Sequence, residues 1–206
     1  MSTAVVPRVG PADHGRSMTL DEFMECEVEE GCRYELARGV LEVTEVPNDP
    51  HGQAVSNLYR AIGRFIERRP GIIRRFGGGS EFRIWLPGAA TGRNPDLGVV
   101  LQGAPKDQRG RRLPALVGEV VSTQSASRDY EVKRLEYLAF GILEYWIIDP
   151  EKRQVAILYR DGDLWRERTF HDDQPLVSLV LPEFKTTPAE LWIDVEEDEN
   201  VIGESP

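Results

Sequence analysis

One run of eight residues, ALVGEVVS at 115–122, constrains the fold of this chain more than any other feature. A continuous apolar run of this length predicts a strand that is buried on both faces, inside a sheet covered by helices. Glu119 lies in the middle of the run, and burying a carboxylate without a partner costs several kcal/mol. The strand therefore requires a partner for Glu119, and a metal ion is one candidate. The alternative is an edge strand in which Glu119 faces solvent or an arginine.

Helical and strand patterns alternate around this run. Apolar residues at steps of three and four predict a long helix from His51 to Arg69, and strand patterns follow it at 72–76, 80–87, 96–101 and 115–122. A second helix is predicted from Arg128 to Phe140, with its apolar side formed by Val132, Leu135, Leu138 and Ala139. Further strands are predicted at 143–149, 154–170 and 175–184. This order predicts an α/β or α+β domain with a mixed sheet, flanked by two helices and extended by antiparallel hairpins.

Short local signals predict two elements in the first forty residues. Thr19 followed by Glu22 is a capping box that predicts a short helix, and Arg38-Gly39 predicts the turn of a hairpin. We expect a single domain over 19–193, between a flexible leader over 1–18 and an acidic, disordered tail over 194–206.

The sequence composition also predicts the cellular compartment of the protein. No apolar stretch reaches the roughly 18 residues of a membrane span, and the first residues lack the apolar core of a signal peptide. These features predict a cytoplasmic protein without a membrane partner. Cys26 and Cys32 match neither a zinc-ligand pair nor a disulfide framework, so we expect two reduced thiols.

The net charge of −10 argues against nucleic acid, because a polyanion is ordinarily bound by basic residues. The charge is unevenly placed, however, since the tail holds six acidic residues and no basic one, which leaves −4 for residues 1–193. Basic clusters occur at 68–69, 74–75 and 106–112. They are either solvated loop charges or a rim that faces phosphates.

The strand that precedes ALVGEVVS begins with Asp96. If the two strands pair, Asp96 and Glu119 can face each other at one end of the sheet, where two carboxylates suit Mg²⁺ together with waters and substrate phosphate. On the second helix, Asp129, Lys133 and Tyr137 repeat at i, i+4 and i+8 on one polar stripe, so Lys133 can extend toward the carboxylates. The alternative is an exposed Asp129–Lys133 ion pair that contributes only a few tenths of a kcal/mol.

The order of these motifs resembles the Uma-two (Uma2) family of restriction endonucleases over roughly residues 19–185. The resemblance is carried by RYELARGVLEV at 33–43, NPDLGVV at 94–100, ALVGEVVS, the D-x3-K-x3-Y pattern from Asp129, and AFGILEYWIIDP at 139–150. That family is similar to the PD-(D/E)XK nuclease superfamily. The resemblance therefore implies a restriction-endonuclease-like αβββαβ core that binds Mg²⁺, with Mn²⁺ as a substitute.

The resemblance also implies roles for individual residues. Asp96 and Glu119 correspond to the metal-binding carboxylates, and the carbonyl of Val120 to a further ligand. The superfamily lysine lies two residues after the second acid, where this chain has Val121, so Lys133 is the candidate that supplies the ammonium from the next helix.

Two further residues have alternative interpretations. Glu35 is either an additional metal ligand or water-orienting acid, or an ordinary strand carboxylate. His51 begins the long helix, and it either approaches the site or is a surface residue.

The sequence thus predicts a Mg²⁺-dependent endonuclease that hydrolyses DNA, in which a homodimer would help to cut both strands. Two other functions are compatible with the residues. One is a non-catalytic module that binds nucleic acid or protein and keeps the nuclease fold. The other is a carbohydrate hydrolase in which the two carboxylates act as general acid and base.

Overall fold

A computed structural model describes residues 6–46, 49–107, 110–123 and 125–193. Its strands are β1 (Arg8–Val9), β2 (Glu27–Val28), β3 (Cys32–Ala37), β4 (Val40–Glu45), β5 (Ile73–Gly77), β6 (Ile84–Leu86), β7 (Thr91–Arg93), β8 (Leu97–Leu101), β9 (Leu116–Val120), β10 (Glu144–Asp149), β11 (Gln154–Asp161) and β12 (Leu164–His171). Its α-helices are α1 (Leu20–Glu25), α2 (Asp49–Arg68), α3 (Lys133–Phe140) and α4 (Pro188–Leu191). A π-helical turn at Arg128–Val132 precedes α3, and 3₁₀ turns occur at Pro11–Asp13, Gly79–Phe82 and Pro87–Ala89.

The described residues divide into two compact units, where a single domain over 19–193 is expected from the sequence. The first unit comprises 6–46 and 77–96, and the second comprises 49–76 and 97–193. The predicted tail over 194–206 lies outside the described residues.

The second unit contains the expected αβββαβ order as α2, β5, β8, β9, α3 and β10. Its sheet has the strand order β12-β11-β10-β9-β8-β5. β9 and β10 run parallel, whereas β8 pairs antiparallel with β9, and β11 pairs antiparallel with β10 and β12. The expected mixed sheet of an α+β protein, with a hairpin added at one edge, is therefore confirmed.

The two faces of this sheet are covered by different helices. Leu116 and Val120 of β9 belong to one buried cluster with Leu58 and Ile62 of α2, and fully burying such side chains stabilises a fold by about 1.5 to 3 kcal/mol each. Because side chains alternate along a strand, Glu119 points to the opposite face. α3 covers that face, since its residues contact Glu119.

α3 packs with the side opposite to the one that its apolar pattern predicts. Leu135, expected in the core, is 62% exposed, whereas Lys133 and Tyr137 are buried. The prediction of an inward apolar side was therefore wrong. The reason is that Glu119 requires polar partners from the helix that covers it, and only the polar stripe of α3 provides them. Gly141 ends the helix with a positive φ of 98°, as its position predicts.

The first unit contains a sheet with the strand order β4-β3-β7-β6. The turn between β3 and β4 lies at Arg38 and Gly39, which both have positive φ, of 50° and 81°. This pair of left-handed residues matches the twist of a hairpin and confirms the predicted turn. α1 begins after Thr19, whose side chain accepts a hydrogen bond from the Glu22 N–H in a complete capping box.

Two further segments differ from expectation. Residues 6–18 belong to the predicted flexible leader, yet β1 pairs with β2 and Val9 is fully buried in the core of the first unit. Residues 175–184 form no strand although their pattern predicts one. Their backbone N–H groups at Leu179 and Val180 donate to the carboxylate of Glu144 instead of to a neighbouring strand.

Within the part of the chain that the structure describes, no helix combines the length and apolar character needed to cross a membrane.

Glu144 anchors the segment at 175–184, which gives a testable prediction. Its buried carboxylate also accepts hydrogen bonds from Trp146 Nε1 at 3.0 Å and from Ser178 Oγ at 2.8 Å. Glu144→Ala leaves these donors without an acceptor, so we expect the free energy of unfolding to fall by about 3 kcal/mol. Urea denaturation followed by tryptophan fluorescence measures the change.

The control is Glu183→Ala, which removes a 65% exposed carboxylate paired with Arg69. We expect it to cost less than about 0.5 kcal/mol. Equal losses in the two variants would contradict the anchoring role of Glu144.

Candidate active site

Glu119 is the centre of the candidate site. β9 lies between β8 and β10, and the residue is only 2% exposed, so the alternative of an edge strand with a solvent-facing Glu119 is wrong. Tyr137 donates its hydroxyl to Oε1 at 2.6 Å, and Lys133 Nζ lies 3.0 Å from Oε2. Both carboxylate oxygens are therefore held by groups of α3.

Lys133 joins two carboxylates. Its Nζ lies 3.0 Å from Asp129 Oδ1 as well as 3.0 Å from Glu119 Oε2, and the three side chains are 6% exposed or less. The i, i+4 ion pair between Asp129 and Lys133 thus exists, but it is buried and not on the surface. Lys133 thus contacts both carboxylates of this cluster.

Tyrosine contacts hold the turn that carries Asp129. Tyr145 donates its hydroxyl to the Asp129 carbonyl at 2.9 Å, and its ring meets that of Tyr137 edge to face at 5.0 Å. Tyr130, in the same π-helical turn, donates its hydroxyl to Asp149 Oδ2 at 2.7 Å.

Burial and the hydrogen bond between Tyr130 and Asp149 shift the pKa of both groups. Burial and the bond to Asp149 raise the pKa of Tyr130, so its hydroxyl keeps the proton it donates. Burial also acts to raise the pKa of Asp149, but hydrogen bonds from the Lys152 N–H and the Tyr130 hydroxyl outweigh it and lower that pKa overall. The bond therefore joins a neutral phenol to a charged carboxylate.

Asp96 belongs to the first unit, at the end of the segment that follows β7. It is 7% exposed, and its Oδ1 lies 2.8 Å from Arg33 Nη2. The same Arg33 nitrogen donates to the carbonyl of Asn94 at 3.0 Å. Asp96 is thus a buried carboxylate with an arginine partner in its own unit.

Glu35 lies on β3, two residues after Arg33. Its Oε1 accepts the N–H of Asn94 at 2.8 Å, and its Oε2 accepts from Arg93 Nη1 at 3.1 Å. Arg93 is fully buried and also donates to Glu42 Oε2 at 2.8 Å. Glu35 therefore binds the segment that carries Asp96.

Arg33, Arg93 and Glu42 were not identified as site residues from the sequence. One signal was available, because charged residues at 33 and 35 interrupt a strand that is otherwise apolar or aromatic at neighbouring positions, and Arg93 lies three residues before Asp96.

His51 and Val120 are the two remaining candidates from the sequence. His51 lies in the first turn of α2 and is buried, so the alternative of a surface position is wrong. α2 covers the face of the sheet opposite to Glu119. Val120 directs its side chain into the cluster beneath α2, which leaves its backbone carbonyl as the group that can act as a ligand.

The oxygen atoms of the candidate ligands suit a hard divalent cation such as Mg²⁺. Among the described residues, no three or more His, Cys, Asp and Glu side chains are grouped to hold a metal by themselves. Mg²⁺ in proteins usually uses one or two carboxylates and keeps several waters or substrate phosphates, so it does not need such a group. In the second unit, the carboxylate of Glu119 and the carbonyl of Val120 are donors of this kind, and the first unit contains another in the carboxylate of Asp96.

The reversed packing of α3 leads to a prediction about stability. Lys133→Met leaves two buried carboxylates without their cation, and we expect the free energy of unfolding to fall by about 3 to 5 kcal/mol. Leu135→Ser changes a 62% exposed side chain on the same helix, so its effect should stay within about 0.5 kcal/mol. Urea denaturation of both variants tests this, and a larger loss for Leu135→Ser would contradict the observed packing.

Comparisons with known proteins agree with this architecture. The sequence matches the model of the Uma2 family, described as "Putative restriction endonuclease", over residues 20–195. Among solved structures, the chain is similar to a protein from Anabaena variabilis ATCC 29413, described as "a putative nuclease belonging to DUF820", with a TM-score of 0.67 and 20% sequence identity. That match covers 85% of this chain and 97% of the other, and at this identity it concerns the fold. No protein of curated function matches the sequence. Because the family match spans most of the sequence, this chain belongs to the Uma2 family.

Proposed function

We propose that this protein is a Mg²⁺-dependent endonuclease that hydrolyses phosphodiester bonds of DNA. The observation that carries the proposal is the buried cluster in which Lys133 Nζ lies 3.0 Å from both Glu119 and Asp129. The family description, which names restriction endonucleases, supports nucleic acid as the substrate.

The cost of this cluster argues for a chemical role. Removing three charged groups from water is expensive, and their mutual attraction often does no better for stability than apolar side chains of similar volume. A strand such as β9, apolar on both sides of Glu119, has no structural need for a carboxylate at that position. A function that requires Glu119 and Lys133 explains why the charges are present.

We propose that the carboxylate of Glu119 and the carbonyl of Val120 hold the metal, with the carboxylate of Asp96 as a proposed further ligand. In the second unit, Leu97 pairs with Gly118, so the strand that follows Asp96 runs beside the strand that carries Glu119. A bound Mg²⁺ would polarise a phosphoryl oxygen and lower the pKa of a coordinated water.

The remaining roles belong to side chains of α3 and the turn before it. Lys133 would stabilise negative charge that develops on the phosphoryl oxygens, because a preoriented cation in a buried site acts strongly on such charge. An ammonium held by carboxylates has no lone pair with which to take a proton, so an electrostatic role suits it better than a general base. Asp129 orients Lys133, and the Tyr137 hydroxyl orients the Glu119 carboxylate.

The basic clusters contribute unevenly to a DNA surface. In the run at 106–112, Arg111 is paired with Asp107 at 2.8 Å, and Arg69 is paired with Glu183 at 2.9 Å. Arg74 lies exposed on β5, an edge strand of the sheet in the second unit. We therefore place phosphate contacts at Arg74 ahead of Arg69 and Arg111. A homodimer would let two such sites cut both strands.

Metal binding is the first test of the proposal. We expect isothermal calorimetry to detect Mn²⁺ binding by the wild type, and both Asp96→Asn and Glu119→Gln to weaken it by about tenfold or more, since each removes a charged ligand. Glu183→Gln makes the same chemical change on the surface and should bind as the wild type does. Unchanged binding in Asp96→Asn or Glu119→Gln would remove that residue from the proposed metal site.

Cleavage is the second test. With supercoiled plasmid and Mg²⁺, Glu119→Gln should lower the cleavage rate by about 100-fold or more, because the metal loses a ligand. Tyr137→Phe removes only the hydroxyl that orients Glu119 and should lower the rate by about tenfold. Tyr159→Phe is the matched control, because its hydroxyl donates to the Val177 carbonyl.

The cleavage assay also separates the two candidate functions. The superfamily lysine position is occupied by Val121, which favours a non-catalytic binding module as the second candidate. Wild-type protein that binds Mn²⁺ and DNA but leaves the plasmid intact under all conditions would favour that module and overturn the nuclease proposal.

A further inference from the structure

Arg33 differs from Arg93, another arginine of the first unit that contacts carboxylates. It lies on β3, with 24% of its side chain exposed, and its Nη2 contacts both Asp96 Oδ1 and the Asn94 carbonyl. Arg93, in contrast, is fully buried between Glu35 and Glu42. Arg93 cannot reach a solute without unfolding its surroundings, whereas Arg33 is partly exposed beside a candidate metal ligand.

From this contrast we infer that Arg33 is a substrate-binding residue, which contacts a backbone phosphate of DNA when a divalent cation is bound at Asp96. The inference rests on the proposed function, because it takes Asp96 as a metal ligand. It goes further in naming the group that binds the phosphate and in coupling that contact to the metal.

The chemistry of the pair supports this role. A carboxylate that coordinates a divalent cation attracts a neighbouring guanidinium less strongly, because the cation neutralises its charge and repels the arginine. A guanidinium presents five N–H donors in a planar fork that matches the geometry of phosphate oxygens. Phosphate is therefore the partner that best replaces Asp96 for Arg33.

The backbone around Asp96 keeps Arg33 in place during such an exchange. Glu35 Oε1 accepts a hydrogen bond from the Asn94 N–H at 2.8 Å, and Glu35 Oε2 accepts one from Arg93 Nη1. The Asn94 carbonyl thus stays where it accepts a hydrogen bond from Arg33 Nη2. Arg33 can keep this carbonyl partner while its contact with Asp96 is exchanged.

The first measurement is Mn²⁺ binding without DNA, by isothermal calorimetry. Arg33→Gln removes the cation that competes with the metal for Asp96, so we expect Mn²⁺ to bind about threefold to tenfold more tightly than to the wild type. An arginine that only supports the local structure predicts the opposite sign, because its loss would disorder Asp96 and weaken Mn²⁺ binding.

The second measurement is binding of a short fluorescein-labelled DNA duplex in Ca²⁺ by fluorescence anisotropy, over a series of salt concentrations. We expect Arg33→Gln to bind the duplex about tenfold more weakly, and the slope of log K against log salt to fall by about one, as loss of one phosphate contact requires. In EDTA the difference between variant and wild type should shrink, because Asp96 then retains Arg33.

The matched control is Arg16→Gln, which removes an arginine paired with Asp13 at 3.2 Å on the surface of the same unit. It should leave Mn²⁺ affinity and the salt slope unchanged. Thermal denaturation of each variant verifies that the fold is retained.

The outcomes separate this inference from the proposed function. Tighter Mn²⁺ binding together with weaker, less salt-dependent DNA binding supports the role of Arg33. Suppose that Asp96→Asn abolishes Mn²⁺ binding, and that Arg33→Gln either weakens the binding of both Mn²⁺ and DNA or changes the binding of neither. The inference about Arg33 is then wrong, and the proposed metal site is retained. If the wild type binds no Mn²⁺, the proposed metal site fails and this inference fails with it.

Discussion

The carboxylate of Glu119 lies inside a sheet that is covered on both faces, and the packing of the second unit follows from the need to compensate it. α2 can cover one face with aliphatic side chains alone. α3 must bring polar groups to the other face, and it does so with Lys133 and Tyr137. The cost is that Leu135 is turned toward solvent. A charge in the sheet thus determines which side of a helix is buried.

In the first unit, an arginine compensates two carboxylates. Charged residues on β3 point into the unit, where Arg93 is buried between Glu35 and Glu42. Arginine suits this position because its planar group binds two carboxylates at once. The resulting network also holds Asn94, so the same contacts that satisfy buried charges keep the segment with Asp96 in a defined position. Structure and proposed chemistry depend on the same side chains here.

Local signals predicted much of the framework. The capping box at Thr19, the turn at Arg38-Gly39 and the apolar periodicity of α2 each act over a few residues, so the sequence determines them without reference to the rest of the chain. Glu119, Asp129, Lys133 and Tyr137 could also be identified as one group. That Lys133 extends toward Glu119 was one of two interpretations of the helical spacing, and in the structure Lys133 Nζ lies 3.0 Å from Glu119 Oε2.

Other features depended on contacts between distant residues. The pattern at 175–184 predicts a strand, but Glu144, more than thirty residues earlier, accepts its backbone N–H groups. Arg33 reaches Asp96 across more than sixty residues. By itself the sequence determined the order of helices and strands in the αβββαβ core and the identity of the charged residues, because periodicity and caps act locally. Only the tertiary structure decided which charges pair and which side of α3 is buried, because a buried charge is compensated by whichever group the fold brings beside it.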